Sequence, residues 1–369
     1  MTEPCDLAAV EARRLIGARR LSPVELVESC LARIERVNGA VNAVVTLDRD
    51  MALGQARAAE AAVMAGAALG LLHGLPVAAK DLDETAGLRT THGSLLYKDH
   101  VPVADDPMIA SLRAAGGLVF MKTNTPEFGT GGNTTNRVFG ATGNPFDPRL
   151  TAGGSSGGSA VALATGMAPL ATGSDMGGSL RTPASFCGVV GFRPSAGLVP
   201  DATSTVALSP FAVLGPMARS VGDAHLLLRA QARLDRADPY ASREALDIPA
   251  VLEPADLSRL LAAFSADLGV ASVEGRVRRA FAARVAGLKH HFRDAIDAAP
   301  DFSGVDDIFE TLRAIGFVAA FAEPLARQRH KLGPELIDNT ERGLRYAMAD
   351  VARAHSAQTA LYRRFNEFF

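Results

Sequence analysis

The run Gly153-Gly154-Ser155-Ser156-Gly157-Gly158-Ser159 passes directly into the apolar stretch Ala160–Ala164, and the reading of that junction decides the fold. Three readings are open. A flexible serine–glycine linker would lie between domains, yet helix-forming residues follow at once. A phosphate loop would end in Gly-Lys-Ser/Thr, which supplies a cation and a magnesium-binding hydroxyl, and this run does not. A nucleophile elbow has the form G-x-S-x-G, which Gly153-x-Ser155-x-Gly157 fits, but it needs a buried strand just before it. Here the preceding residues are Asn144-Pro145-Phe146-Asp147-Pro148-Arg149, two prolines among turn formers. What survives is a rigid loop opening a helix, with backbone N–H groups and hydroxyls aimed at something.

Two flanking segments share its texture. Downstream, Gly173-Ser174-Asp175-Met176-Gly177-Gly178-Ser179-Leu180-Arg181 sets a serine directly after two glycines. This is either an ordinary tight turn or a set of N–H groups converging on one point, able to hold the oxyanion of a tetrahedral intermediate. Upstream, Gly74-Leu75-Pro76-Val77-Ala78-Ala79-Lys80-Asp81 ends a short apolar run in a lysine. A lysine at a strand end is commonly a surface residue. Partly buried, it loses its proton more easily and serves as a neutral base. Asp81 beside it reads equally as a counter-ion or a helix cap.

Around these segments, from about Leu71 to Pro200, short apolar runs (Pro76–Ala79, Leu118–Met121, Val189–Phe192) alternate with Gly-, Ser- and Thr-rich stretches. Helical patterns at Asp106–Ala115 and Ser159–Gly166 lie between them. Strands alternating with helices imply an α/β fold, a parallel or mixed sheet covered on both faces. Residues 1–70 read as helices. Ser22-Pro23-Val24-Glu25 is a capping box with proline at the first helical position. Val24, Leu26, Val27, Cys30, Leu31 and Ile34 follow at helical spacing. Met51–Ala68 reads as a second helix. Residues 71–220 hold the motifs. Residues 221–369 are helix-rich, with amphipathic helices at Arg276–Asp294 and Leu344–Phe369 and one strand at Leu260–Phe264.

Composition narrows the function. Of 369 residues, 48% are hydrophobic and 21% charged, and the net charge is −2. That balance supplies no dense cationic field for nucleic acid or anionic membrane. No apolar run is long enough to span a bilayer. The start, Met1-Thr2-Glu3-Pro4-Cys5-Asp6, lacks a signal-peptide layout. Cys5, Cys30 and Cys187 make neither a disulfide framework nor a metal spacing, so a reduced, cytoplasmic protein without metal or other cofactor is expected. Of the eight histidines, none lies in a Gly-Ser segment. His73 and His92 stay open as bases by spacing, whereas serine activated by lysine is an alternative the three segments offer jointly.

Together the segments resemble the amidase signature family. Its fingerprint is similar to Gly153–Ser159, then Gly173–Arg181, then Pro183-Ala-Ser-Phe-Cys-Gly-Val-Val-Gly-Phe-Arg-Pro194. Gly74–Asp81, Lys122-Thr-Asn-Thr-Pro-Glu-Phe-Gly129 and Asn144-Pro145 match earlier blocks in the right order. The resemblance runs strongly from Ser22 to Arg219. It implies a single domain over 1–369 with a mixed central sheet and flanking helices. Residue by residue, it implies Ser179 as nucleophile, Ser155 as bridge, preceded by a cis peptide at Gly154–Ser155, and Lys80 as ultimate base. It further implies an oxyanion hole from the N–H groups of Met176, Gly177, Gly178 and Ser179, with Ser156, Asp175 and Arg181 in support. Gly129 would line the acyl pocket. The expected substrate is a small carboxamide. The rival within the same chemistry is the glutaminase component of a tRNA-dependent amidotransferase, releasing ammonia from glutamine for partner subunits. A homo-oligomer is left open. Members usually continue into a Tyr-Asp-x-Leu-Leu-x-Pro-Thr strand and further helices, so the C-terminal part is expected to be missing here. That makes an inactive family member a further alternative.

Overall fold

The computed structural model describes residues 3–369. The helical start forms α1 (Ala9–Gly17), α2 (Pro23–Val41) and α3 (Arg49–Met64). The capping box is present: Ser22 Oγ accepts from Val24 N–H at 2.9 Å, and Ser22 N–H donates to Glu25 Oε2 at 3.0 Å. Residues 1–70 are not all helix, however, because β1 (Val44–Leu47) lies between α2 and α3. Asn42, at φ 50°, turns the chain out of α2 in the left-handed conformation that asparagine tolerates.

The motif-bearing part supplies β2 (Val77–Lys80), α4 (Pro107–Ala114), β3 (Met121–Thr123), the small hairpin β4 (Thr135–Asn136) and β5 (Gly140–Ala141), and α5 (Gly157–Ala164). Next come β6 (Leu170–Asp175), α6 (Arg181–Cys187), β7 (Val190–Gly191), β8 (Val213–Ala218) and α7 (Val221–Gln231). Six strands form one mixed sheet in the order β1-β3-β2-β6-β8-β7. Its centre is parallel, with β2 beside both β3 and β6, and the flanking pairings are antiparallel.

Side chains alternate across the sheet as strand geometry requires. Val77 and Ala79 join a core with Ile16, Leu26, Ile109 and Leu227, which α1, α2, α4 and α7 supply. Ala78 joins the opposite core with Leu31, Ala56 and Val161, from α2, α3 and α5, and with Phe120 just before β3. The sheet is therefore covered on both faces. Each fully buried Leu, Ile or Phe contributes about 1.5–3 kcal/mol.

The remaining residues form β9 (Leu261–Phe264), α8 (Gly275–Leu288), β10 (Asp294–Asp297), α9 (Val305–Gln328), α10 (Pro334–Arg345) and α11 (Met348–Phe368). Two expectations change here. The helix expected over Arg276–Asp294 stops at Leu288, and Asp294 opens β10, drawn into a parallel pair with β9. The helix expected from Leu344 starts at Met348, because Leu344 and Arg345 end α10. The chain packs as two compact units, one comprising Met1–Ile248 with Glu323–Asp338, the other Pro249–Ala322 with Asn339–Phe369. Among the described residues, no helix is long and apolar enough to cross a membrane.

Candidate active site

In β2, Lys80 lies two residues after Ala78 and so shares its face, the one that α5 covers. Its backbone N–H donates to Thr172 Oγ1 of β6 at 2.8 Å, tying the carboxyl end of β2 to the middle of β6. Ligand and catalytic groups collect at such ends in α/β sheets. The Lys80 side chain is 0% exposed. Its Nζ donates to Ser155 Oγ at 2.7 Å, Ser174 Oγ at 2.9 Å and Ser156 Oγ at 3.0 Å. Burial pushes its pKa down from 10.5 to about 7, against the pull of the Asp83 and Asp175 charges.

The serine loop reaches this lysine because α5 docks closely. Gly158 backs onto the Asn124 backbone, where an added Cβ would meet Asn124 N at 2.3 Å. Ser159 Oγ donates to Thr172 O at 2.8 Å and pairs with Thr123 Oγ1 at 2.7 Å, which fixes α5 across β6 and β3. The peptide Gly154–Ser155 is cis. Gly129, at φ 71°, comes close to the bridge serine: a Cβ there would stand 3.4 Å from Ser155 Oγ.

The turn after β6 is organised by Asp175. Its buried carboxylate accepts from Gly178 N–H at 2.8 Å and Leu180 N–H at 3.2 Å, and from Arg181 Nε and Nη2 at 2.9 and 3.0 Å. Arg193 Nη1 adds a contact at 3.1 Å to the same carboxylate and another to the Asp175 carbonyl. Burial raises the cost of the charge, yet Arg181 and the N–H groups outweigh it and hold the pKa at about 2. Gly178 N–H is thus already committed to Asp175. Among the described residues, the N–H groups of Met176, Gly177 and Ser179 carry no hydrogen bond. The Ser179 carbonyl accepts from Ser156 N–H at 3.2 Å, placing this turn on the serine loop. The half-buried Ser179 hydroxyl makes no hydrogen bond among the described residues. The structure thus brings Lys80, Ser155, Ser156 and Gly129 together, and Asp175 with Arg181, and leaves Ser179 Oγ unbonded at the edge.

The Asp81 charge faces buried Lys122 rather than Lys80. The residue is also a loop clamp, accepting from Thr91 Oγ1 at 2.5 Å and Thr91 N–H at 3.1 Å. His73 Nε2 lies 2.9 Å from Ala59 O and His92 Nε2 lies 2.7 Å from Glu84 Oε1, so both rings are engaged elsewhere. Sequence reasoning missed four contributors. Ser174 and Thr172 are hidden because their hydroxyls matter only once β6 pairs with β2. Arg193 stood inside a family motif without a role. Lys122 is as buried as Lys80; its Nζ donates to the Asp83 carbonyl and to Thr85 Oγ1 at 2.7 Å, holding the turn that leaves β2.

The model of the Amidase family matches residues 25–360, and the chain belongs to that family of C–N amide hydrolases. It is 33% identical to an acylamidase of Rhodococcus erythropolis over 98% of this chain and 76% of the relative. It is 43% identical to the A component of the glutamyl-tRNA(Gln) amidotransferase of Picosynechococcus sp. over 60% of this chain, and it spans about half the length of such components (46% here). Among solved structures, a bacterial aryl acylamidase of the amidase signature enzymes superposes with a TM-score of 0.87 at 27% identity, over 98% of this chain and 77% of that one.

Proposed function

We propose that the chain hydrolyses the C–N bond of a small carboxamide through an acyl-enzyme on Ser179, with Ser155 and Lys80 as proton relay. The observation that carries this reading is the fully buried Lys80, held near neutrality at about 7 and bonded to Ser155. A lysine so placed accepts a proton near physiological pH without a histidine. In the first step Ser179 Oγ attacks the amide carbonyl and gives its proton to Ser155, whose own proton passes to neutral Lys80. The oxyanion is met by N–H groups of Met176, Gly177 and Ser179, each worth about 3–4 kcal/mol. Gly178 supports the hole indirectly, because its N–H anchors the turn on Asp175. As the C–N bond breaks, Ser155 returns a proton to the leaving nitrogen and is replenished from Lys80. Water then attacks the acyl-enzyme through the same relay, giving the carboxylate and free Ser179. The scheme closes with Lys80 neutral.

A second reading is favoured by one observation. Identity is higher with the amidotransferase A components, 40–44%, than with the acylamidase, 33%. It predicts glutamine as substrate and association with partner subunits. The acylamidase match spans 98% of the chain against 60–66%, which supports the stand-alone amidase. The deciding experiment is labelling with a fluorophosphonate, then peptide mapping and a comparison of 4-nitroacetanilide with glutamine. An adduct on Ser179 and anilide turnover are expected. Folded protein without an adduct on Ser179, or turnover retained in Ser179→Ala, overturns the assignment.

A further inference from the structure

The turn Pro126–Thr130 sets Gly129 against Ser155, and three backbone bonds help to shape it. Gly129 N–H donates to Pro126 O at 2.8 Å, Thr130 N–H to Glu127 O at 2.9 Å, and Phe128 N–H to His92 O at 2.7 Å. Phe128 adopts φ 49°, a left-handed conformation costly for a bulky side chain, so surrounding contacts must hold it. Its ring stacks on His92 at 5.8 Å.

The side chain at the start of this turn reaches both ways. Glu127 Oε1 accepts from Ser94 Oγ at 2.6 Å, and Oε2 accepts from Gly333 N–H at 2.6 Å, across 206 residues of sequence. Gly333 permits that approach, since a Cβ there would lie 2.6 Å from Glu127 Oε2. Nearby, Arg137 Nη1 donates to Leu332 O at 3.0 Å and His330 O at 3.2 Å. The stretch Glu323–Asp338 accordingly packs in the same compact unit as the site, although the residues on either side of it do not.

We propose that Glu127 is a positioning residue. Its carboxylate clamps the Ser94 loop and the Gly333 connection around the Phe128–Gly129 turn, and so holds that turn against the bridge serine. The inference rests on the reading of Ser155 as the proton bridge. It makes the connection between α9 and α10, remote in sequence, part of what shapes the site.

The test compares Glu127→Ala with Glu127→Gln in the full chain. Glutamine keeps both links, accepting from Gly333 N–H through its oxygen and donating to Ser94 Oγ through its nitrogen. Hydrogen exchange at the Phe128, Gly129 and Thr130 amides is expected to rise about tenfold or more in the alanine variant and to stay near wild type in the glutamine variant. The fluorophosphonate labelling rate of Ser179 should fall about tenfold with alanine and recover with glutamine, and with 4-nitroacetanilide the loss should appear in kcat rather than KM. Val63→Ala, a buried change in α3, controls for lost stability. Three results overturn the proposal: unchanged exchange at these amides in Glu127→Ala, faster exchange with an unchanged labelling rate, or an equal labelling loss in Val63→Ala. Should Glu127→Ala fail to fold, Ser94→Ala removes one of the two bonds, and unchanged exchange at the same three amides overturns the proposal equally. A wild-type protein that never labels at Ser179 would instead overturn the proposed function, while the exchange measurement still decides the role of Glu127.

Discussion

Lowering the pH through neutrality should switch the proposed relay off by protonating Lys80, and the structure sets the size of the effect. Burial moves this amine from 10.5 to about 7, which corresponds to about 5 kcal/mol of lost preference for the charged form. With a pKa of about 7, roughly half of the protein holds neutral Lys80 at pH 7, a tenth at pH 6 and a hundredth at pH 5. The rate at which a fluorophosphonate labels Ser179, followed by intact mass, should therefore be flat above about pH 8 and fall tenfold per unit below pH 7. In Lys80→Ala the plateau should drop by about 10²–10⁴-fold and the slope should vanish, since the group that titrates is gone. A flat wild-type profile from pH 5 to 9 would refute the reasoning. So would a break near pH 10, which would mean an ordinary, charged lysine, or a unit slope that persists in the alanine variant.

The same shift bears on stability. Lys80 has its folded pKa below its unfolded one, so the unfolded chain binds more protons between about pH 7 and 10.5, and stability rises with pH across that window. Urea unfolding of Lys80→Met should accordingly gain on wild type as pH falls from 10 to 7, by about 1.4 kcal/mol per unit, and show no further change below 7. Ser179→Ala should abolish turnover while leaving the unfolding free energy within about 0.5 kcal/mol, because this hydroxyl holds nothing in place. Asp175→Asn should cost on the order of 2–4 kcal/mol in a denaturant melt and lower kcat/KM about 100-fold, since it loosens the turn proposed to aim the oxyanion donors. Gly158→Ala should cost about 2–3 kcal/mol or more and slow labelling of Ser179, because its methyl would push α5 off the Asn124 backbone.

Much of this was legible in the sequence where local rules suffice. The capping box at Ser22 and Glu25 satisfies backbone donors within its own turn, so four residues announce α2. The Gly-Ser runs announce a close approach because a Cβ would not fit, as Gly158 shows. What stayed hidden depends on partners distant along the chain. Val44–Leu47 is too short to declare itself between two helices and becomes a strand by pairing with Met121–Thr123. Asp294–Asp297 continues a helical pattern and turns to strand only beside Leu261–Phe264. In the candidate site, Lys80 was singled out from its place after an apolar run, but the Ser174 hydroxyl on its amine and the Arg193 guanidinium on Asp175 were not. No spacing rule connects residues that meet only through strand order. The commitment of Gly178 N–H to Asp175 likewise follows from the sharpness of the turn, which glycine content alone leaves undetermined.

The pairing of β2 with β6 has a kinetic consequence. Lys80 and Thr172 are 92 residues apart, and their strands run parallel, so a long loop must close before that contact rewards the chain. The helices α2 and α3 need no such closure and can form from local contacts within microseconds, whereas parallel pairing of this span is slow. After dilution from urea, far-ultraviolet dichroism should recover well before Ser179 becomes reactive, because the lysine amine meets its serines only when the middle of the sheet has closed. Reactivation would then clock the last long-range step of refolding rather than the appearance of secondary structure.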